Sequence, residues 1–302
     1  MPTSRINKSQ IAGHFKSLQD NICRETEHED GQALFREDIW IRPEGGGGRT
    51  RVLENGAAIS KAGVNFSEVH GELPESLCRQ FQRESGRFFA TGVSVVMHPL
   101  NPFAPTIHMN VRYFEVDDNL WWFGGGIDLS PAYVFEEDAK YFHRELKRVC
   151  DSHHPEYYPK FKSWADDYFF LPFRNETRGI GGIFFDYLGS KGEEDKESIF
   201  RFVIELGGLF SPLYRAILQR RKNTDFGEEH LNWQRLRRGR YAEFNLAIDR
   251  GTKFGLETGG RTESILMSLP PLAAWSYMVE PAPGSPEAKS IGWLKKGILW
   301  AG

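Results

Sequence analysis

The sequence predicts an α+β fold built on an antiparallel sheet, and three observations carry that expectation. Period-two alternation of apolar and polar residues marks strands at 91–98, 106–116, 240–249 and 262–269. Helical patterns at 5–29, 130–153 and about 194–222 are grouped rather than strictly alternating with these strands, which disfavours a doubly wound parallel sheet. No internal repeat and no low-complexity linker divides the chain, so a single domain over 1–302 is expected, with 1–29 as a helical segment inside it.

Taken in order, 5–29 opens the chain as a helix, and Gly45-Gly-Gly-Gly-Arg49 follows. That run is not a phosphate loop, because it lacks the Gly-Lys-Ser/Thr ending. In the strand Gly92 to His98, Ser94 and His98 point the same way, although a lone serine or histidine there is more often a structural hydrogen-bonder. In Thr106 to Val116, His108, Asn110 and Arg112 project together while Ile107, Met109 and Val111 project oppositely. A proton carrier, an amide and a guanidinium then share one surface, unless that surface is only the wet side of an amphipathic strand.

Gly124-Gly-Gly-Ile-Asp128 places a carboxylate just past three glycines, where backbone and ligand can approach closely; a flexible turn with a helix-capping acid is the plainer reading. Helix 130–153 takes Ser130 as cap and Pro131 at its first position, with Phe135, Ala139, Phe142, Leu146 and Val149 on its apolar stripe. The helix at about 194–222 is expected to break or kink at Gly207-Gly208 and Pro212. In the strand read at 240–249, Tyr241, Glu243, Asn245 and Asp249 share one face. Gly259-Gly-Arg261 suits a ligand carboxylate, through backbone N–H groups and a bidentate guanidinium, or is an ordinary surface turn.

Composition bounds the function. Hydrophobic residues at 40% supply a core, and 23 Phe, 8 Trp and 10 Tyr can wall a pocket for a large flat ligand or simply fill the interior. With 38 basic against 41 acidic residues, the net charge of −3 gives no reason to expect nucleic acid or an anionic membrane. The basic, aromatic run Trp233 to Tyr241 is short, and an anionic ligand or a subunit contact explains it as well as RNA does. Cys23, Cys78 and Cys150 form no CxxC pair, which fits reduced thiols; the N-terminus lacks a secretory apolar region, and no stretch reaches about 18 apolar residues, so a cytoplasmic protein without a membrane span is expected. Among nine histidines, His98, His108 and His143 are the metal ligands to weigh, without an HExxH or similar spacing to support them.

Several stretches together resemble the oxygen-dependent coproporphyrinogen III oxidases, over about residues 30–295. They are Lys61 to Ser67, His98-Pro-Leu-Asn-Pro102, Pro105 to His108, Trp121 to Leu129, Arg178 to Asp186, Trp233 through Asp249-Arg-Gly-Thr252, and Glu263 to Pro271. The resemblance implies a large antiparallel sheet flanked by helices on both sides, a deep cavity, and a homodimer whose interface draws on roughly 239–275. It implies oxidative decarboxylation of two propionates of coproporphyrinogen III to vinyl groups, with O₂ as electron acceptor and no required cofactor. No Rossmann fingerprint supplies a nicotinamide or flavin site. His108 matches the family's proton donor; Ser94, Asn110, Val111, Arg112, Gly259, Gly260 and Arg261 match substrate contacts; Asp128, Asp249 and Arg250 match residues assigned to pyrroles and carboxylates. Two positions depart from the pattern: Phe173 stands where many members carry a histidine counted among metal ligands in some bacterial members, and Tyr187 replaces a common second aspartate. A His-ligated metal oxygenase and a non-catalytic tetrapyrrole carrier are the competing readings.

Overall fold

Seven strands form one antiparallel sheet in the computed structural model, which describes residues 6–117, 120–190, 195–257 and 260–302. They are β1 (Arg36–Ile41), β2 (Gly46–Glu54), β3 (Ile59–Glu72), β4 (Arg87–Pro99), β5 (Thr106–Val116), β6 (Leu120–Ser130) and, after the two-residue strands β7 (Phe170–Leu171) and β8 (Glu176–Thr177), β9 (Gly182–Leu188). The order across the sheet is β1-β2-β3-β4-β5-β6-β9. The α+β expectation and the strands at 91–98 and 106–116 therefore hold.

Alternation divides the sheet into two unlike faces. On β5, Ile107, Met109, Val111 and Tyr113 are at most 1% exposed and join a core with α1 (Lys8–Asp30), α3 (Glu136–His153), α4 (Tyr157–Tyr168) and α5 (Lys196–Arg221). The opposite face carries the polar residues and is covered in part by α6 (Glu228–Ala247) and α8 (Thr262–Leu266), with α7 (Arg250–Glu257) in contact with both helices. There Ser264 Oγ lies 2.8 Å from Thr50 Oγ1 of β2, and Arg238 donates to Ser60 Oγ at 3.1 Å. Helices thus flank both sides. α2 (Glu75–Gln80) and α9 (Pro286–Trp293) lie at the margins, and Ser290 of α9 accepts from Val134 N–H.

The opening helix matches its expectation closely. Asn7 and Gln10 form a reciprocal capping box, and Gly31 closes the helix at φ 74°, where a left-handed backbone favours glycine. Asp30 at its end accepts four backbone N–H groups, from Ala33, Ala57, Ala58 and Ile59, and so ties the helix to the β2–β3 turn.

Four expectations are corrected. Ser130 ends β6 and Pro131 lies in the following loop, so α3 starts at Glu136 with three acids in its first turn, which complement the helix dipole. α5 runs through Gly207-Gly208 and Pro212 for 26 residues without the break that was one of the two expected outcomes, because buried side chains on both sides of the proline hold it. Residues 240–249 are the end of α6 and its cap, not a strand: Trp233, Arg237, Tyr241 and Asn245 recur every four residues on its buried side, and that stripe outweighs the shorter alternation. Likewise 262–269 is α8 and a turn, with Met267 packed on Gly63 of β3.

Candidate active site

The polar sheet face is assembled by register. Ser94 of β4 lies opposite Asn110 of β5, and His108 of β5 lies opposite Asp128 of β6. Asp128 is therefore neither in a turn nor a helix cap; the three glycines before it sit inside β6. Gly124 is required by closeness, since a Cβ there would lie 2.6 Å from Asp186 Oδ1 and 2.8 Å from Arg112 Cζ. The space it leaves holds the Arg112–Asp186 ion pair at 2.8 Å, with Arg112 also donating to Asn110 Oδ1 at 2.7 Å. Val111 faces the other way into the core, so its side chain makes no part of this surface.

His108 Nδ1 lies 2.9 Å from Asp128 Oδ1. Asp128 in turn receives Arg178, through Nη2 to Oδ1 at 2.6 Å and Nε to Oδ2 at 3.2 Å. Both side chains of this ion pair are 2% exposed, whereas His108 is 23% exposed and Arg112 35%. The carboxylate is thus interior and the imidazole and guanidinium reach the open side. Burial raises the Asp128 pKa, but the Arg178 charge and the His108 hydrogen bond outweigh it and hold the group below the usual carboxylate value.

Arg178 is seated where β8 runs toward β9. Its backbone N–H donates to Phe169 O at 2.8 Å, and the next residue, Gly179, passes so close to β6 that a Cβ would come within 2.1 Å of Leu129 O. The guanidinium lies 4.5 Å from the Phe169 and Phe244 rings and 4.6 Å from the Tyr241 ring, and Nη1 donates to Asn245 Oδ1 at 2.8 Å. Burial pushes the Tyr241 hydroxyl up to about 12.

Asp249 follows α6 and caps α7: its Oδ2 accepts the Thr252 N–H, and its Oδ1 accepts the Tyr168 hydroxyl. Tyr168, stacked on Phe184 at 4.0 Å, has its pKa raised by burial and by the Asp249 charge. Arg250 is exposed at the start of α7. Tyr241 and Asn245 share a helix side with the site, but Glu243 points away and binds Arg174, Arg240 and Trp275.

Other expected residues lie apart. Arg261 pairs with Asp38 of β1, four strands from β5 and so roughly 19 Å across the sheet at about 4.8 Å per strand. Its Nη1 is buried without a partner among the described residues; Gly260 is exposed, and Gly259 lies outside the described residues. The candidate metal ligands do not converge. His98, fully buried, bonds Thr106 Oγ1 and Ser268 O, while His143 is on α3, across the sheet, bonded to Tyr158 Oη and Ile180 O. Among the described residues no three His, Cys, Asp or Glu side chains are grouped to hold a metal ion. The basic run Trp233 to Tyr241 is mostly interior, with Arg237 bonded to Glu176, so it is not an RNA-facing patch. All three cysteines are free and buried.

Sequence reasoning gave no role to Arg178, Asp186 or Tyr168. Arg178 and Asp186 bound one of the stretches that carry the resemblance, and two charges flanking an apolar glycine-containing strand were the available signal. Phe173 is exposed in a turn, and Tyr187 stacks on Trp122 at φ 53°, a left-handed conformation that suits aspartate better than tyrosine.

The family profile described as coproporphyrinogen III oxidase matches residues 10–300. A curated protein of Glycine max, named oxygen-dependent coproporphyrinogen-III oxidase, chloroplastic, is 50% identical over 291 residues, which covers 91% of this chain and 75% of that protein. A sheet face pairing a partly open imidazole with a buried carboxylate, beside an open arginine, is thus found in a chain that belongs to the coproporphyrinogen III oxidase family.

Proposed function

We propose that this protein converts coproporphyrinogen III to protoporphyrinogen IX with O₂ as the electron acceptor, a step of haem biosynthesis. The observation that carries the reading is His108, bonded through Nδ1 to Asp128 and facing the open side of the sheet with Arg112 further along the same face. For each arm the balance is R–CH₂–CH₂–COOH + O₂ → R–CH=CH₂ + CO₂ + H₂O₂. The bond to the carboxyl carbon and one C–H bond break, two electrons pass to O₂, and the electron-rich tetrapyrrole supplies them without an organic cofactor.

The chain's own residues then position and move protons. Arg112 holds a propionate while Asn110 and Asp186 fix its guanidinium, Ser94 lies beside Asn110, and His108 exchanges protons at Nε2. Asp249 accepts a pyrrole N–H and takes a proton, and Arg250 and Arg261 offer further cations to the carboxylates of a large substrate. The partner is a second copy of the chain through roughly 239–275, a reading supported by exposed Leu246, Leu256, Leu272 and Trp275. Sedimentation of a Leu256→Glu variant tests it, since an unchanged dimer removes α7 from the interface. A cytoplasmic compartment stays the reading from composition, beside a relative designated chloroplastic; no helix among the described residues is long and apolar enough to cross a membrane.

Aerobic incubation with coproporphyrinogen III, followed by separation of tetra-, tri- and dicarboxylate products and measurement of O₂ uptake, tests the activity. Tight binding without turnover identifies a carrier instead.

A further inference from the structure

We propose that Arg178 is a positioning residue for the imidazole of His108, acting through Asp128 rather than on the substrate. The inference rests on the reading of His108 as the group that handles protons. Arg178 and Asp128 together present His108 in one tautomer, with its charge free to change.

Accessibility excludes direct contact. Asp128 and Arg178 are each 2% exposed at the side chain, so no substrate atom reaches either without unpacking α6. The accepting capacity of Asp128 is also committed. Asp128 Oδ1 is shared between His108 Nδ1 at 2.9 Å and Arg178 Nη2 at 2.6 Å, and Oδ2 takes Arg178 Nε at 3.2 Å and Ser130 Oγ at 3.5 Å. Asp128 is therefore the acceptor that requires a hydrogen on His108 Nδ1. Nε2 is left as the nitrogen that meets the open side.

Charge explains why an arginine backs the carboxylate. An interior carboxylate beside an imidazole, with nothing to offset it, stabilises the imidazolium and keeps the ring protonated, which removes its capacity to accept a proton. With Arg178 bound on the far side, the pair is neutral as a whole, and Asp128 orients His108 without locking its charge. Other charged or titratable groups on elements around His108 include Arg112 on its own strand, His98 on β4, Lys61 on β3, Asp186 on β9, Tyr168 on α4, Arg238 and Tyr241 on α6 and Asp249 before α7. None of them bonds to Asp128 among the described residues.

Geometry explains why lysine cannot substitute fully. Arg178 uses three nitrogens at once, two toward Asp128 and Nη1 toward Asn245 Oδ1 of α6, while three aromatic rings surround the plane. A single ammonium replaces the charge but not the fork.

The test compares Arg178→Met and Arg178→Lys with the unaltered protein, using kcat, KM, the pH–rate profile and ¹⁵N spectra of histidine-labelled protein. For Arg178→Met the expected result is KM within about threefold, kcat lower by about 10²-fold, and an acid limb displaced upward by about a pH unit or more. Its ¹⁵N spectrum is expected to show His108 protonated on both nitrogens up to a higher pH than in the unaltered protein. Arg178→Lys restores the position of the limb but only part of kcat. A folded Arg178→Met with lowered thermal stability but unchanged limb, tautomer and kcat overturns the proposal and leaves Arg178 a packing residue. If Arg178→Met is insoluble, the double variant Arg178→Met/Asp128→Asn, which strands no charge, carries the test. Loss of the single tautomer with kcat lower by about 10²-fold supports the proposal, and a retained tautomer at full turnover overturns it. The spectra need no substrate, so a protein that shifts His108 as expected yet never converts coproporphyrinogen III refutes the proposed activity and not the positioning.

Discussion

Asp249 holds Thr252 and Tyr168 with its two oxygens: Oδ2 accepts the Thr252 N–H at 2.7 Å and Oδ1 accepts the Tyr168 hydroxyl at 2.8 Å. Asparagine caps a helix about as well as aspartate, and its carbonyl oxygen can keep one of the two bonds. Asp249→Asn is therefore expected to fold with a melting temperature near that of the unaltered protein while losing the negative charge. Turnover is expected to fall by about 10²–10⁴-fold if that charge takes part in proton transfer. Unaltered turnover across pH would reduce Asp249 to the cap of α7.

Arg261 and Asp38 form a partly exposed pair, at 32% and 50%, which ties α8 to the edge strand. Exposed pairs contribute about 0–1 kcal/mol, so Arg261→Ala is expected to leave stability nearly unchanged. Its efficiency is expected to drop by on the order of tenfold to a hundredfold, since a charged hydrogen bond to a substrate carboxylate is worth about 1.5–3 kcal/mol. Steady-state kinetics decide the matter: an unchanged kcat/KM removes Arg261 from substrate binding.

Thorough chelation is expected to leave turnover intact. His98 and His143 use both ring nitrogens on protein groups, and the sheet separates His143 from His108. Abolition of activity, with recovery on adding one equivalent of metal, is the result that sinks this expectation.

Acid is expected to destabilise the fold well above the carboxylate range. Burial lowers the pKa of both His98, where the Arg238 charge adds to it, and His143, which is pushed down to about 3. Below about pH 6.5 the unfolded chain binds protons that these two interior rings refuse. Their contribution is thus complete above that pH and is lost progressively as the pH falls toward the folded values. The loss approaches about 1.4 kcal/mol per pH unit for each histidine. Denaturant midpoints measured from pH 8 to pH 5 check it, and a flat profile, or one that His143→Gln leaves unaltered in slope, contradicts it.

The strands at 91–98 and 106–116 were legible because one face of each must be apolar, and the same alternation put His108, Asn110 and Arg112 together. Residues 241–248 alternate just as well, yet they belong to a helix whose buried stripe begins eight residues earlier at Trp233; a short window cannot separate the two periods. The glycines of β6 read as a turn because their reason is the Arg112–Asp186 pair, whose members are 74 residues apart in the chain. Arg178 was invisible for a like cause: nothing beside it in sequence indicates that Asp128 is its partner.

The bonds that seat Arg178 join residues separated by 50 positions at Asp128 and 67 at Asn245. Closing such loops costs chain entropy before any contact rewards it, so this junction is expected to form late in folding, and only a segment reaching from 128 to 245 carries all three residues. Until that span has closed, His108 lacks the backing that fixes its ring, and cleavage of the chain between 128 and 245 is expected to lower turnover even where the sheet survives.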